Sequence, residues 1–317
     1  MSLNEFEVIK RFFDHRGRTA PGVILGIGDD AAIVRADPGQ DVVVAADVLN
    51  AGIHFPESTD AAAIGHKALA VNLSDLAAMG AKPSWFTLSL SLPEVDENWL
   101  TGFSTGLFEL ANQFGITLVG GDTVRGPLSI SVQVMGQVAA GSGLRRSGAQ
   151  IGDKIYVSGT LGDAALALKL VQQGEQPESE LRNRLDRPVP RVDLGNRLLD
   201  IASSCIDISD GLAADLGHIL EASGFGAMIS TAALPVSKYL KALDADLAVR
   251  FALSGGDDFE LCFTASDEKS TTVEQLGREL GLPITCIGEI SNKSGLQLSD
   301  YSKSLESKGF NHFAREE

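Results

Sequence analysis

The sequence predicts a two-domain α/β (α+β) protein, and three observations carry that expectation. The chain has 317 residues, enough for two domains at roughly 100–200 residues each. Apolar residues make up 44% and charged residues 21%, the balance of a folded globular chain and not of a disordered, collagen-like or coiled-coil one. Strand-like and helix-like patterns alternate in both halves. The Gly/Ser-rich, then basic stretch Ala139–Ser147 separates the halves. It sets an N-terminal domain over residues 1–140 and a C-terminal domain over residues 141–317.

Along the chain, residues 2–13 place Leu3, Phe6, Ile9, Phe12 and Phe13 on one side of a short helix. Gly17–Gly28 is rich in Gly and Pro and reads as loop. Asp41–Asp47 is an apolar, β-branched run bounded by aspartates, a buried-strand pattern. Pro56–Met79 is Ala-rich and predicts a helix starting near Ser58 or Thr59 and stopping at Gly80. Ser84–Leu92 alternates Trp85, Thr87, Ser89 and Ser91 with Phe86, Leu88, Leu90 and Leu92, a half-buried strand. Asp96–Phe114 predicts a helix, and Ile116–Val119 and Leu128–Val138 predict strands. In the second half, strands are expected at Lys154–Ser158, Ala227–Ser230, Phe259–Thr264 and Ile284–Ile290. Helices are expected from Asp163, over Arg191–Ser203 and over Gly211–Ser223. Residues 172–187 are polar with repeated charges and read as a surface excursion. Val71–Ala78 (VNLSDLAA) is echoed by Ile206–Ala214 (IDISDGLAA), and Gly120–Asp122 by Gly255–Asp257. The echoes arise either from one ancestral unit shared by the halves or by chance in an Ala-rich chain.

Lys and Arg number 26 and Asp and Glu 42, a net charge of −16. Such a surface repels nucleic acid and anionic membranes, so neither is expected as a partner. The uncharged run Pro127–Leu144 is studded with Ser, Gln and Gly and is no spanning helix. Met1–Phe13 carries Glu5, Glu7, Lys10 and Arg11 and lacks a leader's apolar segment. Cys205, Cys262 and Cys286 are odd in number and far apart, so neither a disulfide framework nor a zinc site is expected. A reduced, cytoplasmic protein is the expectation.

The unusual feature is where the aspartates stand. Asp29 and Asp30 follow Gly26-Ile27-Gly28; Asp47 ends an apolar strand; Asp75 lies in an apolar helix. Asp122 follows Gly120-Gly121, Asp207 and Asp210 flank Ile208-Ser209, and Asp257 and Asp258 follow Gly255-Gly256. Any one of these could be a helix cap or a turn residue. As a set they are too many for the nearby cations Arg35, Lys67, Lys82, Arg125 and Arg146 to neutralise. Buried carboxylates must be paired, protonated or metal-bound. Mg²⁺ binds through a few carboxylates while keeping waters and substrate phosphates, so the set points to several Mg²⁺ ions and a nucleotide. The i, i+3 spacing of Asp207 and Asp210 would align them if the segment opens the following helix, and Asp210 could alternatively cap it.

Other templates fail. Gly26–Ala31 matches G-x-G-x-x-A, but no clear strand precedes it and two carboxylates would face a pyrophosphate. There is no G-x-x-x-x-G-K-[ST] loop, no H-E-x-x-H and no G-x-S-x-G elbow. His15, His54, His66, His218 and His312 show no paired spacing.

The segments GIGDDAAIV (Gly26–Val34), AADVLNAGIHFP (Ala45–Pro56), VNLSDLAAMGAKP (Val71–Pro83) and LVGGDTVRGPLSISV (Leu118–Val132) resemble those of the thiamine-monophosphate kinases. So do RSGAQIGDKIYVSGTLGDAALAL (Arg146–Leu168), IDISDGLAADLGHI (Ile206–Ile219), SGGDDFELCFT (Ser254–Thr264) and GFNHF (Gly309–Phe313), in the same order. That family belongs with aminoimidazole ribonucleotide synthetase. The resemblance implies that enzyme's two-domain fold, with the N-terminal domain binding ATP and Mg²⁺ and pairing in a homodimer. It implies transfer of the ATP γ-phosphate to thiamine monophosphate, the last step to thiamine diphosphate. It implies Mg²⁺ ligands at Asp30, Asp47, Asp75, Asp122, Asp207 and Asp210. ATP contacts fall at Gly121, Asp122, Arg146 and Ser209, and thiamine monophosphate contacts at His54, Asp257 and Phe310. The acceptor is a phosphate monoester, mostly a dianion at neutral pH, so no general base and no catalytic residue are expected. Two positions depart from the family pattern: Ala45 and Ala46 stand where hydroxyl residues are usual, and Asp257 where Glu is commoner. Sister enzymes on this fold need a C-terminal or N-terminal reactive cysteine; here no cysteine precedes Cys205 and none follows Cys286.

Overall fold

The structure, a computed structural model, describes residues 3–14 and 21–300. Phe310, His15 and His312 lie outside the described residues. The chain divides into two compact units: one holds residues up to Leu76 with Ala81–Gly143, the other Ala77–Gly80 with the chain from Leu144.

The first unit begins with α1 (Glu5–Val8), capped by Asn4 and continued as a π-turn over Ile9–Phe13. Strand β1 (Val23–Leu25), within the stretch where the composition predicted loop, forms a small antiparallel pair with β2 (Ile33–Val34). Three-residue and two-residue strands leave too few alternations to show a period. Val23 and Val34 pack on buried Trp85 and Val119, so tertiary contact sustains the pair.

Strand β3 (Gln40–Asn50), helix α2 (Ala61–Ala78), strand β4 (Lys82–Leu92), helix α3 (Glu97–Phe114), strand β5 (Thr117–Arg125) and strand β6 (Ser129–Ala139) complete the unit. The sheet runs β3-β6-β4-β5. Its β4–β5 pair is parallel and the others antiparallel. Asp60 starts α2 by accepting from Ala62 and Ala63 N–H, one or two residues later than expected. Asp96 caps α3 in the same way. The alternation predicted for β4 is realised across the whole sheet. One face presents Phe86, Leu88, Leu90, Ile130, Val132 and Val134, all buried. The other presents Ser89, Ser131, Val44 and Val48, with Val44 and Val48 exposed.

In the second unit, six strands run in the order β12-β9-β11-β7-β10-β8. They are β7 (Lys154–Ser158), β8 (Ser204–Asp207), β9 (Gly226–Ile229), β10 (Leu261–Ala265), β11 (Ile284–Ser291) and β12 (Leu296–Leu298). All pairs are antiparallel except β12–β9. The helices are α4 (Asp163–Gln172), α5 (Ser179–Asp186), α6 (Val192–Arg197), α7 (Leu212–Ser223), α8 (Lys238–Lys241), α9 (Ala245–Ser254) and α10 (Ser270–Leu280). The apolar faces of β7, β8 and α7 share one core through Ile155, Val157, Ile206, Leu212, Leu216 and Ile219.

The surface excursion expected at residues 172–187 holds over 172–180, nearly all exposed, but residues 179–186 form α5, with Leu181 and Leu185 buried against α4, α8 and α9. Its charges misled because Arg184 and Arg182 turn inward to acidic partners. The echoed segments also fall on unlike elements. VNLSDLAA is the C-terminal part of α2, whereas IDISDGLAA runs from β8 through a loop into α7. Gly120–Asp122 is strand and Gly255–Asp257 is loop. The echoes therefore give no support to a duplicated unit.

Candidate functional site

In the first unit, Asp47 and Asp75 meet. The Asp47 backbone N–H donates to Asn72 Oδ1 at 3.0 Å, and Asn72 Nδ2 donates to the Ala68 carbonyl at 2.9 Å. Asn72 is buried in α2, one turn before Asp75. It ties β3 to the helix at the height where the two carboxyls share a hydrogen bond. Burial pushes the Asp47 carboxyl up, against the pull of the His54 ring and the bond with Asp75. Asn72 was not singled out in the sequence; its signal was a polar residue three before Asp75 in an apolar helix.

His54 sits in the turn after β3. The Asn50 N–H donates to His54 Nδ1 at 3.0 Å. That bond places the neutral ring's proton on Nε2, making Nε2 a donor. Lys67, itself buried, donates from Nζ to the His54 carbonyl at 3.1 Å. The turn is thus held from both its backbone and its ring.

Asp122 lies on β5 opposite Ser89. Gly121 beside it has no room for a side chain: a Cβ would stand 1.8 Å from the Leu88 carbonyl oxygen. Asp47, Val132, Leu88 and Gly121 form one row across the sheet. Asp47 and Asp122 therefore occupy opposite edges, three strand spacings or about 14 Å apart. Asp30 is exposed, and its N–H donates to Asp29 Oδ1. A hollow of about 590 Å³ begins one residue beyond Asp122, lined by Thr123, Val124, Arg125 and Leu92 among others, and by none of the predicted site residues.

In the second unit, Asp207, Ser209, Asp210 and Asp257 converge. Asp207 is the last residue of β8 and pairs with Leu261. Beyond the strand the pairing persists: Phe259 N–H donates to Ile208 O and Asp257 N–H to Ser209 O, both at 2.8 Å. Asp257 and Phe259 adopt positive φ of 68° and 49° to make that approach, a costly backbone that persists only where neighbours enforce it. Arg146 is placed by its neighbour, since the Arg145 carbonyl accepts from Cys205 N–H on β8. The helical alignment considered for Asp207 and Asp210 does not occur. α7 starts at Leu212, its N-cap position is Gly211, and Asp210 caps nothing. The loop is shaped by Asp215, a residue the sequence reading passed over. Asp215 Oδ2 accepts from the N–H groups of Ser209, Asp210 and Gly211 at 3.0, 3.0 and 3.1 Å. Burial first, then the Asp207 charge, pushes its carboxyl up to about 7.

Among the described residues, no three His, Cys, Asp or Glu side chains group into a ready metal site. Mg²⁺ takes one or two carboxylates and completes its octahedron with water and phosphate oxygens. Asp47 with Asp75 is an all-oxygen pair of that kind, and Asp207 and Asp210 supply oxygen donors too, so the donor chemistry fits. Among the described residues, no helix is long and apolar enough to cross a membrane.

Residues 28–138 match the family model for the AIR synthase related protein N-terminal domain, and residues 150–300 the model for its C-terminal domain. The thiamine-monophosphate kinase of Salmonella typhimurium is 46% identical over 99% of both chains. A crystal structure of thiamine-monophosphate kinase from Stenotrophomonas maltophilia K279a superposes with a TM-score of 0.87. It is 50% identical, over 94% of this chain and 98% of that one. AaThiL complexed with AMPPCP and TMP superposes with a TM-score of 0.79 at 32% identity, over 96% and 94% of the two chains. Both halves match and the relatives align almost end to end: the chain belongs to the thiamine-monophosphate kinase family of AIR synthase related proteins, and it is a kinase.

Proposed function

We propose that the chain transfers the γ-phosphoryl group of ATP directly to thiamine monophosphate, giving ADP and thiamine diphosphate. The observation that carries this reading is the backbone pairing of Asp257 with Ser209. It sets a residue read as an acceptor contact against one read as a nucleotide contact, beside Asp207 and Asp210. The AMPPCP and TMP held by AaThiL are an ATP-like and a monophosphate ligand of a relative, which supports the same pairing here.

In this reading Asp30, Asp47, Asp75, Asp122, Asp207 and Asp210 would hold several Mg²⁺ ions. Bound Mg²⁺ would offset the repulsion between a dianionic acceptor and a triphosphate. Gly121, Asp122, Arg146 and Ser209 bind ATP, with Arg146 adding a permanent positive charge. His54, through Nε2–H, and Asp257 bind thiamine monophosphate, together with Phe310. No residue acts as base: the acceptor is already mostly a dianion, and His54 Nδ1 is occupied by the Asn50 amide. Phosphoryl transfer passes through a loose transition state, so positioning and charge stabilisation supply the rate gain.

The N-terminal domain, residues 1–140, would bind ATP and Mg²⁺ and pair in a cytoplasmic homodimer. Val42, Val44 and Val48 on one face of edge strand β3 are 47–54% exposed, an apolar stripe that a second copy would cover. A dimer mass in light scattering, lost in Val44→Glu, tests that pairing. The reaction is tested by ADP release with and without thiamine monophosphate at saturating Mg²⁺. A strong stimulation by the acceptor is expected; equal rates would overturn the reading.

A further inference from the structure

We propose that Asp215 is a positioning residue that presets the Asp207–Gly211 segment to receive a cation, an inference that rests on the reading of Asp207 and Asp210 as Mg²⁺ ligands. Three consecutive N–H groups, those of Ser209, Asp210 and Gly211, converge on one oxygen, Asp215 Oδ2, at 3.0–3.1 Å. Successive amides turned to one point form an anion-binding concavity, the device by which many loops cradle a phosphate. Here the anion is supplied from within the chain. Asp215 projects from the first turn of α7 and is 3% exposed.

Two consequences follow for the loop. Its three amides face inward and are not available to a nucleotide phosphate, so this segment acts on ATP through the Ser209 hydroxyl and through whatever Asp207 and Asp210 bind. The partly exposed residues of the segment are Ser209 and Asp210, whose oxygens have the donor chemistry of a hard cation. The opposite side of the loop is closed by the Asp257 N–H donating to Ser209 O at 2.8 Å. The loop is therefore clamped between α7 and the strained segment before β10. Asp215 is not itself placed to ligate through Oδ2, because that oxygen already accepts three hydrogen bonds. Its bonds go to the loop, and the Gly211 cap position contributes no side-chain bond to the helix.

The test separates an acceptor from a charge. Asp215→Asn keeps an oxygen able to take the three N–H groups and removes the charge; Asp215→Ala removes both. Mn²⁺, used as a spin probe for Mg²⁺, is titrated into the full chain with AMPPCP present. Amide hydrogen exchange across residues 209–211 is followed in the metal-free protein. Asp215→Ala is expected to weaken Mn²⁺ binding by about 10–100-fold, the scale set by lost outer-sphere support, and to release the protection of the three amides. Asp215→Asn is expected to keep the protection and to bind Mn²⁺ within a few-fold of wild type. Equal loss in both variants would show that the charge, not the loop geometry, matters, and wild-type binding by Asp215→Ala would show that the loop needs no clamp; either overturns the proposal. If Asp215→Ala does not fold, Asp215→Glu decides: it keeps the charge but moves the acceptor by a methylene, and wild-type Mn²⁺ binding there overturns the proposal. A wild-type chain whose ADP release ignores thiamine monophosphate would refute the kinase reaction alone, since neither the Mn²⁺ titration nor the exchange needs the acceptor.

Discussion

Glu260 and Asp215 are both buried carboxylates of the second unit, 0% and 3% exposed, yet their surroundings are opposite. Glu260 is wrapped in donors. Arg191 bonds it through both Nε and Nη2, Arg184 through Nη2 at 3.1 Å, and Ser158 Oγ at 2.6 Å. Gly159 is obligatory beside it, because a Cβ there would stand 2.0 Å from Glu260 Oε1. Asp215 has only backbone N–H groups on Oδ2, and the side-chain charges acting on it, Asp207 and Asp210, have its own sign. A carboxylate with two arginines is complete. Its role is to join α5, α6, β7 and β10, and a further cation has nothing to add. A group of carboxylates repelling one another is complete only with a ligand. Buried acids matched by cations hold the fold, and buried acids among like charges are poised for chemistry.

The largest expected effect breaks the complete side. Glu260→Ala leaves Arg184 and Arg191, both partly buried, without this shared partner and should cost about 3–5 kcal/mol in urea unfolding. Added Mg²⁺ should not restore it. A loss under 1 kcal/mol, on the order of an exposed pair, would show that the arginines find other partners.

The incomplete side should respond in the reverse sense. Asp210→Asn removes one of the like charges around Asp215 and is expected to leave metal-free stability unchanged or raised. Activity at limiting Mg²⁺ should fall at least about ten-fold. Since Asp210 does not cap α7, thermal destabilisation with normal turnover would contradict both the geometry and the metal role.

His54 sharpens the contrast between binding and chemistry. His54→Ala should raise KM for thiamine monophosphate and leave KM for ATP nearly unchanged, with kcat falling less than about ten-fold. A base would be worth about 10²–10⁴ in kcat, so a drop of that size at saturating substrate would reassign the residue.

The smallest effect concerns Asp258, which lies beside the Glu260 group. Burial pushes its carboxyl well above the usual range, against the pull of Arg184 and of the Gly162 N–H at 2.7 Å. An acid raised in the fold stabilises it fully below the unfolded value of about 4 and loses that contribution as pH rises toward the folded value. The stability of wild type relative to Asp258→Asn should therefore fall across the pH window that opens above about 4. A pH-independent gap in urea melts would show that Asp258 does not titrate in that window.

Much of the architecture was legible because it is periodic. The alternation over Ser84–Leu92 gave β4 and both of its faces, and the Ala-rich run from Pro56 gave α2 to within a few residues. The aspartates stood out because each interrupts an apolar or Gly-rich run. The C-terminal half of residues 172–187 failed the same reading, since charge pattern alone cannot tell a solvated helix from one whose arginines turn inward. Asp215 was passed over although its context, one acid in an apolar helix, is that of Asp75.

By itself, then, the sequence determined the alternation of strands and helices, the family, and which carboxylates lie away from solvated charge runs, because those properties are local patterns of polarity. Tertiary structure alone decided which carboxylates are paired. Asp47 meets Asp75 because Asn72 ties a strand to a helix 25 residues away. Arg184 and Arg191 reach Glu260 across 76 and 69 residues. Asp257 meets Ser209 because the chain before β10 accepts positive φ to lie against the end of β8. Whether a buried charge is neutralised depends on distances of a few ångströms between residues far apart in the chain, and no local pattern encodes them.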